Sequence, residues 1–454
     1  MTQQLALSRR GFLATSVAAG GFAPGSRLPA TAQEAATLEI PTEITLKDPS
    51  TWTIAGQPLK RLDTMGKLDG SQIYAIDVTL PGMVNAAIRQ SPAIGATVLS
   101  FDAAAVMGMP GVQKVVQLDD TAVAVIADTW WRAKTALEAL PIEWSESEHA
   151  GLTMEAIHAS LDDGLSATEA FIGTETGDIA AAIAEAAQVV EADYYFPWQH
   201  HTTMEPMNAT AVWTADRCEV WVATQDAEAI LSVTSEAAGL EIAQCEVYRL
   251  SLGGGFGRRA SSHEFARQAV LLAKEMPGTP VKLIWTREEN MIHGTFHPIT
   301  KARMTGALDA DGNLTGLHMR ISGQSIFAGL MPFALGADGS DPLVFQGLDA
   351  ESTEGEFGYT VPNLLIDHAM RNPPVRPGFW RGVNNNQNAF YLESFMEELA
   401  HAAGRDPLEF RRAHMQNHPL HLGVMNAVAE SVCWDAPPPK GVFRGLSQHH
   451  GYGS

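Results

Sequence analysis

The sequence predicts an α+β fold, a small α/β unit followed by a larger mixed α+β region. Three observations carry this expectation. Residues 112–144 read strand, strand, helix, strand; residues 209–238 read as a hairpin followed by a helix; residues 389–412 read as two consecutive helices. A chain of 454 residues can hold two or three domains with sizeable cores.

In chain order, Pro41 to Gly70 is punctuated by Pro, Thr and Lys and reads as an extended lead-in. Ile73–Val78 and Val112–Leu118 read as strands, and the continuous apolar run Ala122–Ala127 as a buried strand. Thr129–Leu140 follows as a helix and Pro141–Trp144 resumes extended structure, closing a compact βαβ-like unit. Gly151–Ala187 reads as mainly helical with loops, and Val189–Phe196 as a strand. Ala209–Trp213 and Glu219–Ala223 flank a turn at Asp216-Arg217, and Ala227–Ala238 is a helix that Gly239 ends. Val247–Leu252 is a strand running into a glycine cluster, Ser262–Ala273 a helix and Val281–Trp285 a strand. Asp309-Ala310-Asp311-Gly312 is a hairpin turn, since the later ligand positions of a calcium loop are wrong. Ala389, Leu392, Met396, Leu399 and Ala403 recur at helical spacing and make one buried face. Gly404 ends that helix, and Asp406-Pro407-Leu408-Glu409 starts another with Asp as N-cap, Pro at N1 and Glu at N3.

Acidic residues outnumber basic ones 52 to 30, for a net charge of -22. Such a chain repels a phosphate backbone, which argues against nucleic acid as a partner. Cys218, Cys245 and Cys433 are far apart and form no CxxC pair. Neither a thiolate zinc or iron–sulfur site nor a disulfide framework is expected, so in a redox protein the electron carriers would lie elsewhere or not be held by cysteine. Ser8-Arg9-Arg10-Gly11-Phe12-Leu13, the apolar stretch to Ala23 and Ala30-Thr31-Ala32 read as a twin-arginine export signal over residues 1–32. That implies a periplasmic location and a cofactor inserted before export. No run is long enough for a transmembrane helix.

Four segments could carry chemistry. Leu252-Gly253-Gly254-Gly255-Phe256-Gly257-Arg258-Arg259 follows a strand and precedes a helix. Its glycines would let backbone N–H groups approach ligand oxygens, and its arginines could hold anions in a fork. It is neither a P-loop nor a dinucleotide fingerprint, and a tight structural turn explains it as well. Pro197 to Pro206 contains Gln199, His200, His201 and Glu205. Adjacent histidines diverge in an extended segment, so Gln199 donating to a cofactor oxygen is the better functional reading than a metal site. Arg376-Pro377-Gly378-Phe379-Trp380-Arg381-Gly382-Val383, with three asparagines after it, reads as an anion site at a helix entrance or as a polar loop. Trp285-Thr286-Arg287-Glu288-Glu289-Asn290-Met291, before His297-Pro298, reads as a solvated face or an ion-pair network.

The order and spacing of these segments carry a resemblance. From Arg61-Leu62-Asp63, through Pro81-Gly82-Met83, to about Arg412, the chain resembles the xanthine dehydrogenase and aldehyde oxidase family. It is most similar to exported large subunits of the isoquinoline 1-oxidoreductase beta type. The resemblance implies a signal peptide (1–32), a linker (33–59), an α/β hammerhead domain (60–150), a first molybdopterin-binding domain (165–425) and the start of a second (426–454). It implies molybdopterin cytosine dinucleotide as cofactor, with molybdenum held by the pterin dithiolene. Gln199, Gly254, Gly255, Phe256, Gly257, Arg258, Arg381 and Gly382 match cofactor-side positions. His200, Phe296 and Val383 match the substrate pocket. A small [2Fe–2S] subunit and a c-type cytochrome acceptor are the implied partners.

Three departures bear on substrate. Ala260 stands where purine-oxidising members carry a glutamate, Phe296 where they carry an arginine, and Val383 where an aromatic is usual. A purine is therefore disfavoured against an N-heteroaromatic or an aldehyde. The family's catalytic base is a glutamate of the second molybdopterin domain, expected beyond Ser454. Glu354-Gly355-Glu356-Phe357-Gly358 precedes Arg381 and so falls in the wrong place for it. The resemblance leaves two expectations: an enzyme component working with further parts, or a non-catalytic remnant or interaction scaffold that binds no cofactor.

Overall fold

The computed structural model describes residues 45–350 and 355–453. The expected export signal and the first part of the linker lie outside them, as does Glu354. The chain divides into two compact units, Met1–Asp69 and Gly70–Ser454. In the first, Asp48 caps a short turn at Pro49–Thr51, and Asp63 pairs with Arg61 and Lys67 around the helix Thr64–Asp69.

The second unit contains sixteen strands among the described residues. They are β1 (Val84–Gln90), β2 (Val98–Phe101), β3 (Val112–Asp119), β4 (Ala122–Ala127), β5 (Ile142–Trp144) and β6 (Phe171–Thr176). β7 (Gln188–Phe196), β8 (Gln199–His200), β9 (Asn208–Trp213), β10 (Cys218–Ala223) and β11 (Cys245–Leu250) follow. The last are β12 (Val281–Ile284), β13 (Phe296–His297), β14 (Thr300–Leu308), β15 (Leu314–Gly323) and β16 (Asn363–Met370).

A seven-stranded sheet runs β11-β10-β9-β12-β1-β4-β3. Its seam is β12, antiparallel to β9 and parallel to β1, with Val84 opposite Val281. Strands from residues 84–127 and 208–284 thus share one sheet. All six residues of β4 are buried. Ala122, Ala124 and Ile126 face a core with Phe265, Val270 and Trp285. Val123 and Val125 face Ala133, Ala136 and Leu137 of the helix Trp130–Ala139. A strand covered on both faces reads as a continuous apolar run, which is what made it visible.

A five-stranded sheet runs β6-β16-β15-β14-β7. The helix Asn385–Ala402 packs Leu392, Phe395, Met396 and Leu399 into its core. Gly404 ends that stretch at φ +65°, and Asp406 caps Pro407–His414 by accepting from the Leu408 and Glu409 amides at 2.9 and 3.2 Å. This helix pair stands as the sequence predicts.

Three local expectations are corrected. The lead-in before Gly70 is not extended throughout, since Pro49–Thr51 and Thr64–Asp69 are helical. Ile73–Val78 is no strand: Asp77 accepts from the Tyr74 amide at 3.0 Å and closes a 3-10 turn over Ala75–Asp77. Within Gly151–Ala187, β6 interrupts the helices because it pairs with β16, a contact no local pattern announces. The cysteines also need restating. Cys218 and Cys245, remote in sequence, stand opposite each other on β10 and β11, both as free thiols, and burial pushes the Cys218 thiol up to about 12.

Candidate cofactor site

The glycine loop leaves β11 with unusual backbone. Gly254 and Gly257 lie at φ +106° and +102°, and Phe256 between them at +55°. At Gly257 a Cβ would stand 2.0 Å from the Phe379 carbonyl oxygen. Only glycine lets these two backbones touch. The Arg381 amide then donates to the Phe256 carbonyl at 2.8 Å, and the Arg381 guanidinium sits over the Phe256 ring at 5.6 Å. Phe256 is 41% exposed, so the pair offers a flat, cationic surface to a ligand.

The Gln199 segment joins them. β8 pairs with β13, placing Phe296 opposite His200 and His297 opposite Gln199. His201 Nε2 donates to the Phe379 carbonyl at 2.7 Å, and Trp380 Nε1 donates to the His200 carbonyl at 3.4 Å. His297 reaches the Val383 carbonyl at 3.0 Å. The Phe296 amide donates to the Arg376 carbonyl and the Gly378 amide to the Phe296 carbonyl. The structure therefore brings Gln199, His200, Gly254–Gly257, Phe296, Arg381, Gly382 and Val383 to one place. The Gln199 side chain takes no hydrogen bond from the described residues.

Thr202, Phe256 and Val383 are non-glycine residues at positive φ, at +45°, +55° and +51°. For β-branched Val383 this is a strained conformation. Strain of this kind, about 1–3 kcal/mol per residue, persists where surrounding structure over-determines it and clusters at ligand sites.

Arg258 and Arg259 behave differently from the fork expected. Both side chains are fully buried. Arg258 donates to Glu264 and to the Ser262 carbonyl. Arg259 donates to the Gly254 carbonyl at 3.0 Å and the Glu205 carbonyl at 2.9 Å. They brace the loop from inside, and neither presents its guanidinium to an external anion. The Trp285–Met291 run is only partly a solvated face: Glu288 and Met291 are exposed and Glu289 pairs with His293 at 3.3 Å, but the rest turns inward. Trp285 is fully buried, Arg287 donates to the Thr203 and Met204 carbonyls, and burial raises the Glu289 carboxyl to about 7. Glu356 accepts from the Gly347 amide at 2.8 Å, a structural task.

Some organising residues carry no motif of their own. Glu205 is 6% exposed and accepts from the Gly253 amide at 2.8 Å, the Ile76 amide at 3.0 Å and Asn208 at 3.0 Å. Gln225 accepts from the Gly257 amide at 3.1 Å. Asn386 donates to the Arg381 carbonyl at 2.8 Å, closing that loop. The asparagine run after Gly382 was the available signal for the last of these.

Burial lowers both His200 and His201 to about 4, with Arg258 adding to each shift. A histidine kept neutral in the fold loses stability on acidification. The unfolded chain gains a proton near 6.5, while the folded one resists until about 4. The stabilisation is complete above pH 6.5 and is lost as pH falls toward 4. Urea midpoints should therefore drop across this window, and His201→Gln should shallow the drop. An equal drop in that variant would assign the acid sensitivity elsewhere.

Among the described residues no cluster of three or more His, Cys, Asp or Glu could hold a metal ion. No described helix is long and apolar enough to cross a membrane.

Known proteins are similar to this chain. Residues 163–415 match the molybdopterin cofactor-binding domain family. The chain is 27% identical over 406 residues to the B subunit of nicotinate dehydrogenase from Pseudomonas putida, covering 87% of this chain and 33% of that protein. It is 27% identical over 402 residues to the beta subunit of isoquinoline 1-oxidoreductase from Brevundimonas diminuta, covering 86% and 50%. Quinoline 2-oxidoreductase from Pseudomonas putida 86 superposes with a TM-score of 0.67 at 21% identity, covering 83% of this chain and 54% of that one. At that identity the superposition shows the fold alone. The chain spans about a third to a half of the length of these relatives. With more than half its residues matched by the family, the chain belongs to the molybdopterin-binding proteins of the xanthine dehydrogenase and aldehyde oxidase family.

Proposed function

We propose that this chain is the molybdenum-cofactor-binding component of a molybdenum hydroxylase that oxidises N-heteroaromatic or aldehyde substrates with water as oxygen source. The observation that carries the reading is the convergence of the Gln199 strand, the glycine loop and the Arg381 loop around strained backbone. The residues fit the group. Side-chain atoms at Ser261 Oγ, Ser262 Oγ and His263 Nδ1 are buried without a partner just after the loop. Gly254 and Gly257 leave a backbone cradle that a larger residue could not adopt freely. Bound there, a molybdenum cofactor supplies two-electron redox chemistry.

The chain's own residues position and shield. The loop amides of Gly254, Gly255 and Phe256 would meet ligand oxygens, while the Gly257 amide is held by Gln225; Phe256 and Arg381 form a flat cationic wall, and the Gln199 amide would donate to a cofactor oxygen. His200, Phe296 and Val383 shape the substrate side. Phe296 stands where a cation could hold the oxygen atoms of an oxopurine, and its ring offers stacking in place of that contact, which favours an N-heteroaromatic or an aldehyde over a purine. The same reading gives hammerhead and first molybdopterin domains at 60–150 and 165–425, and the cytosine dinucleotide form of the cofactor. It adds a small [2Fe–2S] protein, a c-type cytochrome acceptor and twin-arginine export to the periplasm.

The test is the metal and nucleotide content of the full chain co-expressed with a [2Fe–2S] partner in a cofactor-making host. Molybdenum and acid-released CMP in near-equal amounts support the reading. Protein free of both sinks it.

A further inference from the structure

A second cavity lies beside the site and is not part of the cradle. It has a volume of about 530 Å³ and is walled by the turn after β1, by the helix Glu264–Lys274 and by residues 292–296 and 375–376. That size falls within the range of small-molecule sites, about 300–1,000 Å³. It shares Phe296 with the candidate site but contains none of Gln199, Phe256 or Arg381.

Its charges mostly cancel. Arg267 pairs with Asp119 at 3.2 Å, and Glu264 is neutralised by the buried Arg258. Burial lowers His293 to about 4, which leaves it neutral at ordinary pH. Arg376 remains: it is exposed and within electrostatic reach of Glu264, but Glu264 has its direct ion-pair partner in Arg258 and no salt bridge to Arg376 occurs among the described residues. One cation is thus left over. Phe296, Ile292 and Ile94 supply an apolar wall, and the Phe296 ring is held edge-on to His200 at 5.5 Å. The Gln268 amide donates to Gln90 at 2.9 Å and fixes the polar floor.

We propose that this cleft binds a planar aromatic monocarboxylate, its ring against Phe296 and its carboxylate on Arg376. A guanidinium matches a carboxylate in fork geometry, and a flat ring gains most against a fixed aromatic face. Only one negative charge can be matched, because the other cations are already paired.

Titration calorimetry of the full chain at pH 6 with benzoate and benzamide tests this. At that pH benzoate is ionised, and Glu289, whose carboxyl lies beside Gln90, is largely protonated. Saturable one-to-one benzoate binding is expected, with benzamide at least about tenfold weaker. Arg376→Gln should weaken benzoate by about tenfold or more, while Arg381→Gln leaves it unchanged. Equal binding of the two probes, no benzoate binding, or loss through Arg381→Gln in place of Arg376→Gln overturns the proposal. The measurement needs no cofactor, so its failure and the failure of the molybdenum reading are separate results.

Discussion

Glu205→Ala is expected to cost about 3–5 kcal/mol of folding stability, the usual penalty for removing one partner of a buried ion pair. Arg259 is fully buried and stands 3.3 Å from the Glu205 carboxylate. Burial already depresses Arg259 to about 10, and Glu205 offsets only part of that cost. The variant would leave the guanidinium with carbonyl partners alone. It would also orphan the Gly253 and Ile76 amides that Glu205 now satisfies. Urea unfolding reads the loss directly. A change below about 1 kcal/mol would mean the arginine is satisfied by carbonyls alone and Glu205 is dispensable.

Gly257→Ala should be nearly as severe, about 2–6 kcal/mol when backbone strain and overpacking are combined. Its Cβ would meet backbone, the Phe379 carbonyl, which cannot rotate away. The bond between the Arg381 amide and the Phe256 carbonyl must then break, and the two walls of the cradle separate. Neighbouring glycines make the controls. Gly254 has a similar φ of +106°, but a Cβ there meets side-chain atoms at 3.2 and 3.3 Å, so Gly254→Ala reports strain with little clash. Gly255 would meet the flexible Gln225 side chain, so Gly255→Ala should be mildest. Thermal unfolding with molybdenum content on each variant should rank them 257, 254, 255. Equal effects across the three would refute the backbone-contact account.

Elements whose signal is local were readable in the sequence. β4 announced itself as an apolar run, Gly239 and Gly404 as helix ends, and Asp406 as a cap. β6 and the two-residue strands β8 and β13 were not, because each exists only through a partner distant in the chain. The same distinction holds at the site. The glycines, Gln199 and Arg381 were legible because type and order mark them. The arginine pair misled because sequence cannot say which way a side chain faces: Arg258 and Arg259 point into the protein, where Glu264 and Glu205 wait. Glu205 looked like part of a histidine cluster, although its partners lie at residues 76, 253 and 259.

The placement of β12 has a consequence for biosynthesis. β1, β3 and β4 are translated early, yet β1 receives its second neighbour only when residues 281–283 have emerged. Until then β1 offers an open edge of unpaired amides and carbonyls, a template for joining another nascent chain. Long-range pairing of this kind is slow and exposes intermediates to aggregation. The growing polypeptide therefore has a vulnerable interval on the ribosome, between completing β4 and delivering β12, when a chaperone holding that edge would raise the yield of native protein.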